Sequence, residues 1–411
     1  FQWREKYIVN LTGRRDGSSR FGPGKQFGNF AAIGAGWIFT EEQIFEPISS
    51  VLSFGKLRAS YGITGNDQMA DYQFMSTYSS NGYVYLGNSG ITPTRHTNRT
   101  YGWESVKKLE AALELGFLED GVRLNTSYYR NRTGNQLVGY SLPEMTGFST
   151  VQANLPAVVE NSGFEIDIES NNIRGKKLGW TSTFNISFPS NKLVSYPDIE
   201  NSSYAMVYQV GMPLSIQYRF SYKGIDPETG LYTLNDLNND GQITWSDDRA
   251  PTIIQTKFHG SLGNQFSFKN WQLSFLLQFV GQNGDSFYYT GLPGAYNTNQ
   301  PIAVLSRWQS SSDTNTKLSR YSTIYPVEQS YFDYSNGKID DASFIRLKNV
   351  ALYWNANEKV LSYLHIQQLR LYFQCQNLFT ITNYLGFDPE NHSGYALPPL
   401  RTITAGIQVT L

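Results

Sequence analysis

Apolar and polar residues alternate with period two along nearly the whole chain. The terminal "TITAGIQVTL" sets Ile403, Ala405, Ile407, Val409 and Leu411 on one face, with Thr402, Thr404, Gly406, Gln408 and Thr410 on the other. In "GFEIDIES", Phe164, Ile166 and Ile168 alternate with Glu165, Asp167 and Glu169. In "KLRASYGI", Leu57, Ala59, Tyr61 and Ile63 alternate with Lys56, Arg58 and Ser60. Such runs last about 9–11 residues, the length a tilted strand needs to cross a bilayer, and exceed most globular strands. "WESVKKLEAALELGFL" (103–118) carries a helical stripe through Val106, Leu109, Leu113 and Phe117 but also alternates strictly. The "EDG" after it and the alternating "VRLNTSYYR" beyond favour a hairpin, so a strand is expected there.

Connections between these runs fall into two classes. Short ones are expected at Glu119–Gly121, Asn171–Gly179, Ile225–Gly230, Lys269–Asn270 and near 355–365. Long ones are expected near 64–104, 134–161, 189–213, 236–255, 282–342 and 379–400. Transmembrane barrels show this asymmetry, with short periplasmic turns and long extracellular loops. Strict alternation of short and long requires "LYTLN" (231–235) to be a strand, which brings the total to about fourteen. The fold class expected is therefore all-β: a transmembrane antiparallel β-barrel with its long loops extracellular.

Composition agrees with a barrel wall. Charged residues make up 16%, against ~25% in ordinary soluble domains, and aromatics reach 15%. No apolar stretch is long enough for a membrane helix, whereas a barrel wall needs only every second residue apolar. The net charge of −1 argues against a nucleic-acid partner. One cysteine, Cys375, excludes an internal disulfide framework, and its alternation with Leu369, Leu371 and Phe373 places it on an apolar face. The opening "FQWREKYIVN" is neither a signal peptide nor a start methionine, so a larger parent protein is expected.

Specific stretches add a family resemblance. "YIVNLTGRRDGSSRFG" (7–22), "LRASYGITGND" (57–67), "YGWESVKKLEAALELGF" (101–117), "VVENSGFEIDI" (158–168), "ASFIRLKNVAL" (342–352) and "LRLYFQCQNLFTITNYLGFDPE" (369–390) follow one another in order. Together they resemble the C-terminal barrel portion of SusC/RagA-type TonB-dependent outer-membrane transporters of Bacteroidetes. That resemblance implies a barrel of about 22 strands, of which this chain supplies about fourteen, with the plug domain and about eight strands elsewhere. It implies active import of oligosaccharides or peptides across the bacterial outer membrane. It also implies work with a SusD-like surface lipoprotein and energy from TonB, which would engage a part outside this chain.

Two constellations carry candidate chemistry. "DLNNDGQITWSD" follows D-x-[DN]-x-[DN]-G. Asp236, Asn238 and Asp240 would ligate Ca²⁺ as hard oxygen donors, with the Gln242 carbonyl and Asp247 completing the set. The ion would be structural, bracing an outer loop; the alternative is an Asx-rich turn held by its own side chains. Loop aromatics Tyr83, Tyr85, Phe287, Tyr288, Tyr289 and Tyr296 are candidate substrate-binding residues, able to stack on sugars or pack on a lipoprotein. Charges on one strand face, such as Lys56, Arg58, Glu165, Asp167 and Glu169, are expected in the lumen. An enzyme is not expected, because His96, His259, His365 and His392 are scattered and no nucleophile motif accompanies them. The alternative function is a soluble or surface-attached, calcium-stiffened β-sandwich in binding or adhesion.

Overall fold

The computed structural model describes residues 1–286, 292–295, 299–313, 316–392 and 396–411, with Tyr85 by its backbone alone. The chain divides into two compact units, Phe1–Ile168 with Pro189–Leu214 and Glu169–Phe188 with Ser215–Leu411. No helix among the described residues is long and apolar enough to cross a membrane. Both units are antiparallel.

In the first unit, β1 (Tyr7–Gly17), β2 (Phe27–Ile38), β3 (Leu52–Asn66), β4 (Glu104–Phe117) and β5 (Val122–Ser141) hydrogen-bond in chain order. Two long strands, β6 (Thr150–Arg174) and β7 (Leu178–Ser195), have residues in both units. Register sorts the side chains by solvent. Leu57, Ala59 and Tyr61 lie opposite Leu113, Ala111 and Leu109. Trp37, Ala35 and Ile33 of β2 extend those rows, and Tyr7, Val9 and Leu11 of β1 extend them again. On the other face Lys56 opposes Glu114 and Ser60 opposes Glu110. A slip of one residue would exchange the faces and put each charge into lipid at ~2–4 kcal/mol near mid-bilayer. Segment 104–117 is a strand for the same reason: a helix would mix residues that alternation keeps apart.

The β4–β5 turn is tight. Leu118, Glu119 and Asp120 all have positive φ, 55°, 56° and 58°, a conformation costly for residues with a Cβ. The Ser53 hydroxyl donates to Asp120 Oδ1 at 2.9 Å, and the Asp120 N–H donates back to Ser53 Oγ at 3.0 Å.

The loop expected over 134–161 is mostly strand. β5 continues to Ser141 and β6 starts at Thr150, leaving 142–149 as the connection; β7 likewise runs on to Ser195. Asn135, at φ 55°, is the cause of the misreading. Before it, odd-numbered Tyr129 lies against odd-numbered Gly163. After it, even-numbered Val138 and Tyr140 pack on Leu155, Ala157 and Val159, with Leu193 and Tyr196. The strand thus changes the face its residues present, and a pattern read with a fixed period ends there.

In the second unit the Leu178–Phe188 part of β7 is followed by β8 (Thr256–Phe268), β9 (Trp271–Asp285), β10 (Phe344–Asn355), β11 (Gln368–Gln376) and β12 (Thr402–Thr410). One apolar row runs Trp180, Phe266, Leu273, Leu352, Phe373, Ala405 through successive pairings. Cys375 lies between Val350 and Ile403 on the same face; it is buried rather than exposed.

"LYTLN" is not a wall strand. Tyr232–Leu234 pairs with Tyr222–Ile225 in a separate two-stranded sheet, and Ile216–Phe220 pairs with Arg249–Ile253 in another. Both belong to the β7–β8 connection, so the wall counted as about fourteen strands is β1 to β12. Removing two strands keeps the count even, and long and short connections still alternate in the second unit, whereas in the first 39–51 is longer than 18–26 and 142–149. In the first, 18–26, 67–103 and 142–149 lie at one strand end, with 39–51 and 118–121 at the other. In the second, 215–255, 286–343 and 377–401 share one end, with 175–177, 269–270 and 356–367 opposite.

Candidate functional site

The polar face of the first unit pairs its own charges. Arg58 donates to Glu110 and, from Nε at 2.8 Å, to Glu114, while Lys56 Nζ lies 3.3 Å from the second Glu114 oxygen. Such half-exposed pairs each contribute at most ~1 kcal/mol. Their effect is to leave the face close to neutral. Ser127 donates to Glu165 at 3.3 Å. A Cβ on Gly163 would lie 2.7 Å from the Tyr129 hydroxyl, so glycine makes room for that ring. Arg58, Glu110, Ser127, Tyr129 and Glu165, with Lys108, Asn125, Asn131 and Asp167, line an open trough of about 500 Å³. Donors and acceptors alternate along it beside one aromatic ring, a surface that suits hydrated polar solutes. Of the charges expected in the lumen, Arg58, Glu165 and Asp167 border this space, and Lys56 pairs with Glu114 beside it.

In the second unit the long connections fold into a body of their own. Tyr232 stacks on Phe332, ring centroids 3.7 Å apart and nearly parallel, and Tyr222 meets both edge-on. Burial pushes the Tyr232 phenol far above its ordinary pKa. Next to this core, Trp245 packs edge-on against Phe220 and Tyr334, with Trp245 and Tyr334 exposed on their outer sides. The sequence reading missed these two rings, because nothing in the local pattern marks a lone Trp inside a polar turn.

A buried ion cluster ties the last loop to the wall. Arg346 of β10, 1% exposed, donates from Nη2 to Asp388, from Nη1 to Glu390 at 2.6 Å and from Nε to Thr380 Oγ1 at 2.9 Å. Nearby, Gln282 of β9 donates to the Pro389 carbonyl at 2.7 Å. A cavity of about 350 Å³ lies against the cluster, lined in part by Phe379, Phe387 and Arg401. The signal was present in "FIRLKN" and "GFDPE", but pairing across that distance is not a local property.

The Asp-rich loop closes through its own hydrogen bonds. Asp236 accepts from the Asn239 and Gly241 N–H groups at 2.7 Å each, and Asp240 from Gln242 N–H at 2.8 Å. The Asn238 side-chain amide donates to Asp240 at 3.0 Å, and Asp247 accepts from the Thr244 hydroxyl at 3.0 Å. Asp248, fully buried, accepts from Leu237 and Thr244 N–H groups. Among the described residues no three His, Cys, Asp or Glu side chains gather into a cluster able to hold a metal. These hydrogen bonds hold the loop in the manner of an Asx-rich turn, with the oxygens of Asp236, Asn238 and Asp240 gathered in it.

Of the candidate aromatics, Tyr83 is 79% exposed on the hairpin of Thr77–Tyr85 and Asn88–Arg95. Tyr85 is described by its backbone only, opposite Asn88. Phe287, Tyr288, Tyr289 and Tyr296 lie outside the described residues.

No family model matches the chain. Relatives do. "TonB-dependent receptor P3" of Formosa agariphila is 28% identical over 420 residues, covering 95% of this chain and 41% of that protein. "TonB-dependent receptor SusC" of Bacteroides thetaiotaomicron is 26% identical over 424 residues, covering 96% and 41%. The solved RagAB peptide transporter superposes at a TM-score of 0.84 with 21% identity, over 99% of this chain and 46% of that one. In sequence the chain is similar to TonB-dependent receptors including SusC, and it shares the fold of the RagAB transporter. It spans about two fifths of the length of the receptors it matches. As a receptor barrel it is an outer-membrane protein, and the relatives it matches are receptors and transporters rather than enzymes. Its apolar rows face lipid and its charged rows face the lumen.

Proposed function

We propose that this receptor barrel forms part of a TonB-energised importer that carries oligosaccharides or peptides across the outer membrane. The observation that carries this is the division of each strand: lipid-facing apolar rows back directly onto a neutralised polar trough. A soluble sandwich would bury the row of Leu57, Tyr61, Leu11 and Ile33, which here stands exposed. The plug and further strands would come from the remainder of the parent protein. Among the described residues β12 has a hydrogen-bonded neighbour, β11, on one side only, and an unsatisfied edge is not tolerated in lipid. A SusD-like lipoprotein would sit over the long-loop end of the second unit, where Trp245 and Tyr334 offer exposed aromatic surface.

The test is uptake of labelled oligosaccharide and labelled peptide by cells expressing the full-length transporter, with and without TonB, alongside co-purification of the surface lipoprotein. Uptake of one substrate class that disappears without TonB supports the reading. A protein that remains monodisperse without detergent overturns it.

A further inference from the structure

The lipid-facing rows of β4 and β5 end in positive charge at the 67–103 end of the strands. Along β4 that face reads Lys107, Leu109, Ala111, Leu113, Leu115, Phe117. Leu109 to Phe117 spans about 27 Å along the strand at ~3.4 Å per residue, and less in height once tilted, which fits an apolar band ~25 Å tall. On β5, Arg130 lies opposite Leu109 and Arg132 opposite Lys107. Three cations therefore stand together at the rim of the apolar band.

Their own chain neutralises them in part. Glu160 of β6 is the carboxylate that reaches them, 2.6 Å from Arg132 Nε and 4.0 Å from Arg130 Nε. Lys107 is exposed and, among the described residues, has no carboxylate within ion-pair distance. Like charges directly opposite on a sheet are destabilising, yet Lys107 and Arg132 are such a pair. On the polar face Lys56 and Arg58 of β3 meet the carboxylates Glu110 and Glu114 of β4, and Lys108 there, unpaired among the described residues, is exposed to the water-filled side. An unbalanced pair on the lipid side therefore needs an anion from outside the chain, and the anion available at that depth is a lipid phosphate.

We infer that Lys107, Arg130 and Arg132 bind the phosphate of an anionic lipid headgroup in the outer leaflet, an inference that rests on the outer-membrane reading. Arg130 and Arg132 would present guanidinium N–H groups to the phosphate oxygens while Glu160 fixes their orientation. Lys107 would supply the third positive charge.

The experiment uses the full-length transporter in nanodiscs of phosphatidylcholine doped with monophosphoryl lipid A. Lipid retained after detergent washing is counted by native mass spectrometry. Wild type should retain the phosphorylated lipid. Each cation near a membrane surface adds ~1 kcal/mol, so K107Q should weaken retention about fivefold and K107Q/R130Q/R132Q about a hundredfold. K107Q breaks no internal ion pair, so it keeps the test valid if the triple variant fails to assemble. Equal retention by wild type and K107Q overturns the inference. Stripping of the lipid by 10 mM inorganic phosphate (an arbitrary challenge concentration, roughly that of a buffer) would assign the site to free phosphate instead and also overturn it. A Leu113→Cys variant separates the two failures. Labelling by a water-soluble maleimide would sink the membrane reading itself, whereas labelling only by a lipid-soluble reagent leaves that reading standing.

Discussion

Arg346 and Asp388, 42 residues apart in sequence, form a buried ion pair that anchors the loop before β12 to the start of β10. Asp388 sits in the "DPE" stretch and Arg346 in "FIRLKN", so the pair joins two stretches far apart in the chain. Removing Arg346 leaves the buried Asp388 carboxylate without its cation, at ~3–5 kcal/mol, while removing Asp388 leaves Arg346 with Glu390 and costs less. R346A or D388A should therefore release 377–401, seen as faster amide exchange and new protease cleavage there, with β1 to β5 unaffected. The apolar pair R346M/D388L should restore most of the protection; if it behaves like the single variants, the pair has another role.

The two faces of β3 and β4 should respond oppositely to charge. Leu113→Arg puts a cation on the lipid side and should cost ~2–4 kcal/mol, read as a lower urea midpoint for unfolding in bilayers. Lys56→Gln, on the luminal side, removes one half-exposed pair and should shift that midpoint by ~1 kcal/mol or less. Equal effects would mean the faces have been assigned the wrong way round.

How much of this was legible beforehand depends on whether neighbours along the chain decide the outcome. Leu109 to Phe117 were readable as a strand because alternate residues meet lipid and water, a local rule. Lys56 and Arg58 were readable as luminal for the same reason. Asn135 was not: one residue with positive φ exchanges the faces of β5, and everything after it looked like loop. Tyr222, Tyr232 and Phe332 were unreadable as a core, since their stacking joins segments a hundred residues apart. Trp245 and Arg346 share that limit.

Asp226 offers a pH test outside the membrane. The N–H groups of Thr229 and Glu228 hold its carboxyl below the ordinary aspartate value of 3.8. A depressed pKa contributes stability that is present above the unfolded value and lost as pH falls through the folded one. The turn at 226–230 should thus hold at neutral pH and loosen below about 3.8, measured by amide exchange of Leu231 and Gly230. In D226N that pH step should vanish; its persistence would point to another group.

The Asp236 loop gives a test with a chelator. If its own hydrogen bonds suffice, EDTA should leave exchange across 236–248 unchanged, while D236A, which loses two N–H acceptor contacts, should accelerate it severalfold, at ~1 kcal/mol per bond. Protection that falls with EDTA and returns with Ca²⁺ would establish the calcium brace through Asp236, Asn238 and Asp240.

The cluster of Leu155, Ala157, Val159, Leu193 and Tyr196 extends ordered strand beyond Asn135. From there to Ser141 is about 20 Å of extended chain at ~3.4 Å per residue. The eight or so residues at its tip therefore ride on a stiff mast, mechanically insulated from the bilayer. A substitution at that tip leaves untouched the apolar rows on which insertion into the membrane depends.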